Sequence, residues 1–218
     1  MTESIPWRDV CKDAALRAAE EEALAAWQGV NWQLNGSEPI PFNHRWEHVQ
    51  QVVKLALWLA AETGADVEIV EAAAWLHDVR KRERNHGARG AEAALAILPG
   101  TDYPPAKIGA VADAIRVHAG MTRKETDPMQ PLEAAVLWDA DKLSKIGVQS
   151  LVYVMSSHYV FGQTLSERRR SNQEFIETVL SETVKSMNTE PARRLAEERY
   201  RRNAEFMDVW RREEELTG

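Results

Sequence analysis

Residues 72–81 read AAAWLHDVRK: five apolar positions, then His77 and Asp78 side by side, then Val79 and the cations Arg80 and Lys81. Counting back from His77, Val70 and Ala73 or Ala74 fall on the same side at spacings of three and four, so the imidazole continues the apolar stripe of a helix and points inward. Asp66 offers an N-cap for that helix, which the spacing predicts to run as far as Val79. A buried helix that ends on an imidazole beside a carboxylate needs a reason, because both groups give up hydrogen bonds to water when they are buried.

The same period extends outward in both directions. Apolar residues recur every three or four positions, and alternation of β-branched residues between turn signals is nearly absent, so the fold class is all-α. A first helix covers about Asp9 to Trp27 and is closed by Gly29 and the turn-rich NGSEPIPFN; a second runs from about His44 to Thr63 and stops at Gly64. After the central stretch a helix spans about Ala88 to Leu98, ended by Pro99 and Gly100, and YPPAKIGAVADAIRVHAG opens with prolines suited to a first turn and ends at Gly120. Another spans about Pro131 to Ile146, with Gly147 a bend before VQSLVYVMSSHYVF. The last fifty residues predict two long charged helices with narrow apolar stripes, whose arginine runs read as solvated faces laced by charge pairs.

A chain of 218 residues with 44% hydrophobic content buries one sizeable core, and one domain is expected over residues 1–218: a helical extension at 1–40, a core at 41–150 and the C-terminal helices at 151–218. The formal net charge of -7 argues against a broad footprint on long nucleic acid and leaves room for a small anionic substrate in a local basic pocket. A single cysteine, Cys11, excludes an internal disulfide and a cysteine-based zinc site; it reads as an ordinary thiol near a flexible end. The N-terminus is acidic without an apolar signal core, and no segment approaches the roughly 18 uncharged apolar residues of a membrane span, so a cytoplasmic protein is expected.

The chemistry lies in the histidines and two acids. His48 shares the stripe of Val52, Leu55 and Leu59, and His118 that of Ile108, Val111 and Ile115, so with His77 three separate helices each aim one imidazole inward. A lone histidine on an apolar face is ordinarily a hydrogen-bonded core residue. Several of them beside Asp78 would leave costly unsatisfied groups unless a divalent cation took imidazole and carboxylate together, and neutral nitrogen with anionic oxygen suits iron, manganese, zinc or similar ions. His44 reads as helix-start packing and His158 as structural.

His48, the pair His77-Asp78 and an aspartate in WDADKL form an ordered H…HD…D set that resembles the HD-domain metal-dependent phosphohydrolase superfamily. HRWEHVQQVVKLALWLA, AAAWLHDVRK, HGARGAEAALAIL, AIRVHAG and LWDADKLSKIG look like its small stand-alone bacterial members, over about residues 40–150 and weakly into ARRLAEERYRRNAEFM. The resemblance implies a single HD-domain-like helical bundle with long C-terminal helices. Residues two apart on a helix point about 200° apart, so only one of Asp139 and Asp141 can face the ion, and the wheel does not say which. The family pattern implies Asp141, with Asp139 orienting a ligand or capping locally. It also implies that His86 in NHGARG and His118 in VHAGMT hold a second ion in two-metal branches, or else cap the next helix and touch phosphate. Lys81 matches a lysine common in the family, while Arg80 stands where a small glycine is usual. The expected function is hydrolysis of a phosphoester or phosphoanhydride in a small nucleotide-like molecule by one or two divalent ions (iron, manganese, zinc, nickel, cobalt or magnesium). Asp78, Lys81 and Lys142 are the expected catalytic residues, and Asp78 the natural bridge between two ions. The alternatives are an oxygenase with two irons on a related scaffold and a non-catalytic nucleotide-binding regulator; a guanosine tetraphosphate hydrolase fits less well, because VRKRE follows the HD pair and the nearby ED pair of those enzymes is missing.

Overall fold

The structure, a computed structural model, describes residues 5–30, 40–124 and 128–216, and among them it contains helices and turns with no strand. In chain order the helices are α1 (Trp7–Gly29), α2 (His44–Thr63), α3 (Val67–Leu76), α4 (His86–Ile97), α5 (Ile108–Val117), α6 (Leu132–Leu143), α7 (Val148–Ser156), α8 (Leu165–Phe175), α9 (Ser181–Lys185) and α10 (Glu190–Leu216). A π-helical stretch, Ile176–Leu180, joins α8 to α9, so the first of the two expected C-terminal helices is an unbroken helical run with a local bulge. None of the described helices is long and apolar enough to cross a membrane.

Local chemistry explains the ends. The Asn43 side chain accepts from Trp46 N at the start of α2, and Gly64 closes that helix at φ 78, a left-handed conformation that costs glycine little. Asp66 caps α3 by accepting from Glu68 N and Ile69 N. The expected run to Val79 stops earlier: α3 ends at Leu76, and residues 77–85 form a chain of turns. That early stop places His77 and Asp78 at the mouth of a buried helix rather than within it.

α3 is the centre of the molecule. Nearly all of it is buried, including Ile69, Val70, Ala72, Ala73, Ala74 and Leu76, and it packs against α1, α2, α5 and α6. A helix buried over most of its surface needs neighbours on several sides; its alanines let them come close, and its buried Glu71 is answered by Arg8 of α1. Cys11 on α1 belongs to this core, fully buried; the expectation of a thiol near a flexible end is corrected by the packing of α1 on α2 and α3. Burial, with Glu71 nearby, pushes its thiol up to about 12, which leaves it unreactive.

α4 crosses α5 closely because Gly87 and Gly90 lack side chains. A Cβ at Gly87 would meet the Arg116 carbonyl oxygen at 2.8 Å, and one at Gly90 would meet Ile115 Cγ2 at 3.0 Å and the His77 carbonyl oxygen at 3.1 Å. This approach brings His86, the first residue of α4, onto His118, which follows α5, with ring centroids 5.1 Å apart.

Candidate metal centre

Four imidazoles converge on one carboxylate. Asp78 Oδ2 lies 3.5 Å from both His48 Nε2 and His77 Nε2, while Oδ1 lies 3.5 Å from His118 Nε2 and 4.0 Å from His86 Nε2. Among the described residues two triads have ligand atoms close enough to share an ion, His48-His77-Asp78 and Asp78-His86-His118, and Asp78 belongs to both, with one oxygen facing each.

The tautomers follow from what holds the far side of each ring. His77 Nδ1 donates to the Ala74 carbonyl at 2.7 Å and His118 Nδ1 to the Ile115 carbonyl at 2.6 Å. Ser144 Oγ donates its proton to the Asp141 carbonyl at 2.6 Å, so across 3.0 Å it must accept from His48 Nδ1. All three rings therefore carry their proton on Nδ1 and turn an Nε2 lone pair inward. Burial pushes His48 down and His77 down to about 3, and burial with the Lys81 charge pushes His86 down to about 4, so these rings are neutral near pH 7.

Such a site fits a cation. Two lone pairs, on His48 Nε2 and His77 Nε2, face each other at 3.3 Å with no proton between them, His118 Nε2 is buried without a hydrogen-bond partner, and Asp78 Oδ1 has no hydrogen bond beyond its ion pair with Lys81. Leaving them so would cost several kcal/mol, roughly 1–3 for each group. Ligand atoms about 2.0–2.1 Å from one ion lie roughly 3 Å apart, close to the observed nitrogen separation. Burial works against the charge on Asp78, yet His77, Arg45 and the other imidazoles hold its carboxyl well below the usual range.

The two aspartates of α6 separate. Asp141 enters the site with Oδ1 at 3.2 Å from His48 Nε2, and Lys142 and Lys145 both contact its carboxylate. Asp139 faces away and accepts from Asn188 N, Asn188 Nδ2, Thr189 N and Thr189 Oγ1 at 2.8–2.9 Å, where it caps the start of α10. Lys81 Nζ reaches Asp78 Oδ1 at 3.2 Å and lies 3.4 Å from His86 Nε2. Lys142 is buried, donates to the His118 carbonyl at 2.9 Å and does not line the adjoining cavity. His44 packs against the rings of Tyr153, His158 and Tyr159, behind the site.

Three contributors escape sequence reasoning. Arg45 Nη1 donates to Asp78 Oδ2 at 2.7 Å; Glu22 of α1 accepts from the same guanidinium; Lys145 lies against Asp141. Spacing held a signal for two of them, since Arg45 precedes His48 by three and Lys145 follows Asp141 by four, on the same helical faces. A cavity of about 700 Å³ opens from the site, lined by the cations Arg45, Lys81 and Lys145 and by the rings of Phe42, Tyr153 and Phe175.

A family model described as HD domain matches residues 45–146. Comparison with curated protein sequences yields no significant match. Among solved structures, one described as a predicted HD superfamily hydrolase from an uncultured Thermotogales bacterium is 24% identical, with 97% of this chain and 95% of that chain covered and a TM-score of 0.61. An HD-superfamily hydrolase from Bacillus thuringiensis is 22% identical over 89% of this chain and 97% of that one, with a TM-score of 0.58. Bacillus subtilis YpgQ, solved in complex with ADP, is 21% identical over 88% and 97%, with a TM-score of 0.55. Residues 45–146 thus match the HD domain, and the whole chain shares the fold of these HD-superfamily structures.

Proposed function

We propose that this chain is a metal-dependent hydrolase that cleaves a phosphoester or phosphoanhydride bond in a small, nucleotide-like substrate. The observation that carries the reading is the divided carboxylate of Asp78, one oxygen toward each histidine pair, at the end of a cavity lined with cations. His48, His77 and Asp78, with Asp141 beside them, would hold one divalent ion, and Asp78, His86 and His118 a second. A bound ion of this kind supplies a water of lowered pKa and polarises a phosphoryl oxygen.

The chain's own groups do the rest. Lys81 and Arg45 stand on opposite oxygens of Asp78 and offset negative charge on a phosphoryl group seated there. Lys142, by donating to His118 O and contacting Asp141, fixes two of the inward-facing groups, and Lys145 occupies the cavity wall. The rings of Phe42, Tyr153 and Phe175 offer flat apolar surface for a base, and a relative solved with ADP supports a nucleotide-like ligand.

The test is elemental analysis of protein purified without chelator, followed by a phosphoester and phosphoanhydride screen on the metal-loaded chain. Two ions per chain and hydrolysis are expected. His77→Ala should lose hydrolysis and about one ion, and the double variant His86→Ala/His118→Ala should keep about one ion and lose most turnover. Oxygen consumption without phosphate release would point to an oxygenase and overturn the reading; wild-type turnover by His77→Ala would do the same.

A further inference from the structure

α1 lies outside residues 45–146, the segment that matches the HD domain, yet it reaches the site. Its Glu22 accepts two parallel hydrogen bonds from Arg45, Nε to Oε2 at 2.8 Å and Nη2 to Oε1 at 2.7 Å, and the third nitrogen, Nη1, donates to Asp78 Oδ2 at 2.7 Å. The guanidinium is thereby pinned between carboxylates of two different elements and is 6% exposed. A guanidinium has five N–H bonds. Three serve these contacts, which leaves one on Nη1 and one on Nη2 at a side chain that lines the cavity.

Charge balance alone does not account for this arrangement. Lys81 already offsets Asp78 through Oδ1, and burying a second carboxylate with an arginine is a net cost unless orientation matters. A two-pronged contact with Glu22 does what a lysine ammonium cannot, because it fixes the plane and rotation of the donor group. His44, fully buried, stands behind the same carboxylate with Nε2 at 3.6 Å from Oε1 and closes the other side of Glu22. The cavity's lysines are more exposed, 30% for the Lys81 side chain and 28% for that of Lys145, and their ammonium groups lack a planar two-pronged contact.

We propose that Arg45 is the fixed anion-binding group of the cavity, presenting its free N–H bonds to a phosphoryl oxygen beside Asp78, and that Glu22 of α1 is the positioning residue that sets its orientation. The ligand class rests on the phosphate chemistry proposed above, but the inference concerns binding and stands apart from turnover. It makes α1 part of the site rather than a scaffold packed against it.

The experiment uses the full, metal-loaded chain and methylenediphosphonate, which has no cleavable P–O–P bond, in titration calorimetry, with metal content measured on every sample. Arg45→Gln should weaken binding by about 10–100-fold, the loss expected for hydrogen bonds to a charged group, with metal content unchanged. Arg45→Lys keeps the charge and guards against misfolding, and it should also bind less tightly because it cannot be held by Glu22. Glu22→Gln should weaken binding by about tenfold alone and by nothing further in an Arg45→Gln background, since it acts only through that residue. Affinity equal to wild type in Arg45→Lys and Glu22→Gln, with only the melting temperature lowered, would show a structural ion pair and overturn the proposal. So would a wild-type chain that does not bind the diphosphonate. Binding without hydrolysis of any screened substrate would instead remove the hydrolase reading and leave this one standing.

Discussion

Asp139 and Asp141 sit two residues apart on α6, both buried, and live in opposite surroundings. Asp139 is enclosed by four neutral donors from Asn188 and Thr189, so every lone pair it turns to the protein is answered and no room is left for an ion. Asp141 meets one imidazole and two ammonium groups, partners that can exchange it for a cation of higher charge. Burial pushes the Asp139 carboxyl up against its hydrogen bonds, whereas Lys142 and Lys145 outweigh burial at Asp141 and hold it well below the usual range. The same side chain ties two helices together in one place and belongs to a reactive site in the other; the partners make the difference.

The sharpest way to break this contrast is to make both isosteric substitutions. Asp141→Asn should lower metal affinity by more than the roughly 10–100-fold that loss of an outer hydrogen-bonding partner costs. Asp139→Asn should leave metal content unchanged. Metal titrations of the two proteins decide between them, and a loss confined to Asp139→Asn would reverse the assignment.

A smaller effect, on folding, should run the other way. Asp139→Ala strands four donors at the start of α10, so at about 1 kcal/mol for each bond, partly recovered by relaxation, the chelator-treated protein should lose about 3 kcal/mol. That corresponds to a melting temperature lower by roughly 6–12 °C. A shift below about 1 kcal/mol in thermal unfolding would mean that water replaces the carboxylate and that the contrast is overstated.

The smallest expected effect is in pH dependence, and its sign differs at the two sites. Asp141, depressed in the fold, contributes stability that is present above its ordinary value of 3.8 and is lost as pH falls through its folded value. Asp139, raised in the fold, contributes in the opposite sense: its share is present below 3.8 and is lost as pH rises through its folded value. In metal-free protein, urea midpoints between pH 3 and 6 should therefore show a reduced acid-side loss for Asp141→Asn and a steeper one for Asp139→Asn. Parallel slopes in the two variants would contradict the assignment of charge.

Much of the site was legible because helix ends and faces are local properties. The Asp66 cap, the stop at Gly64 and the inward stripes of His48, His77 and His118 all follow from residues within about one turn of each other, and the structure places them so. His86 was legible only through resemblance, since its closeness to His118 depends on how α4 crosses α5. Of the two lysines expected at the phosphate, Lys81 lines the cavity while Lys142 turns into the core toward His118 O, and Lys145, one turn from Asp141, takes the cavity wall. Arg45 was readable in part from its spacing to His48; its orientation was not, because Glu22 lies 23 residues away across a helix crossing.

By itself, then, the sequence determined an all-α chain, the approximate positions of its main helices, and the inward turn of His48, His77 and His118, since caps and periodicity act within about four residues along the chain. The tertiary structure decided which aspartate of α6 faces the histidines, which lysine lines the cavity, and that α1 holds Arg45 in place. Those outcomes depend on the rotation and approach of whole helices, set by contacts such as Gly87 against Arg116 O and Asp139 against Asn188 and Thr189, between residues far apart along the chain.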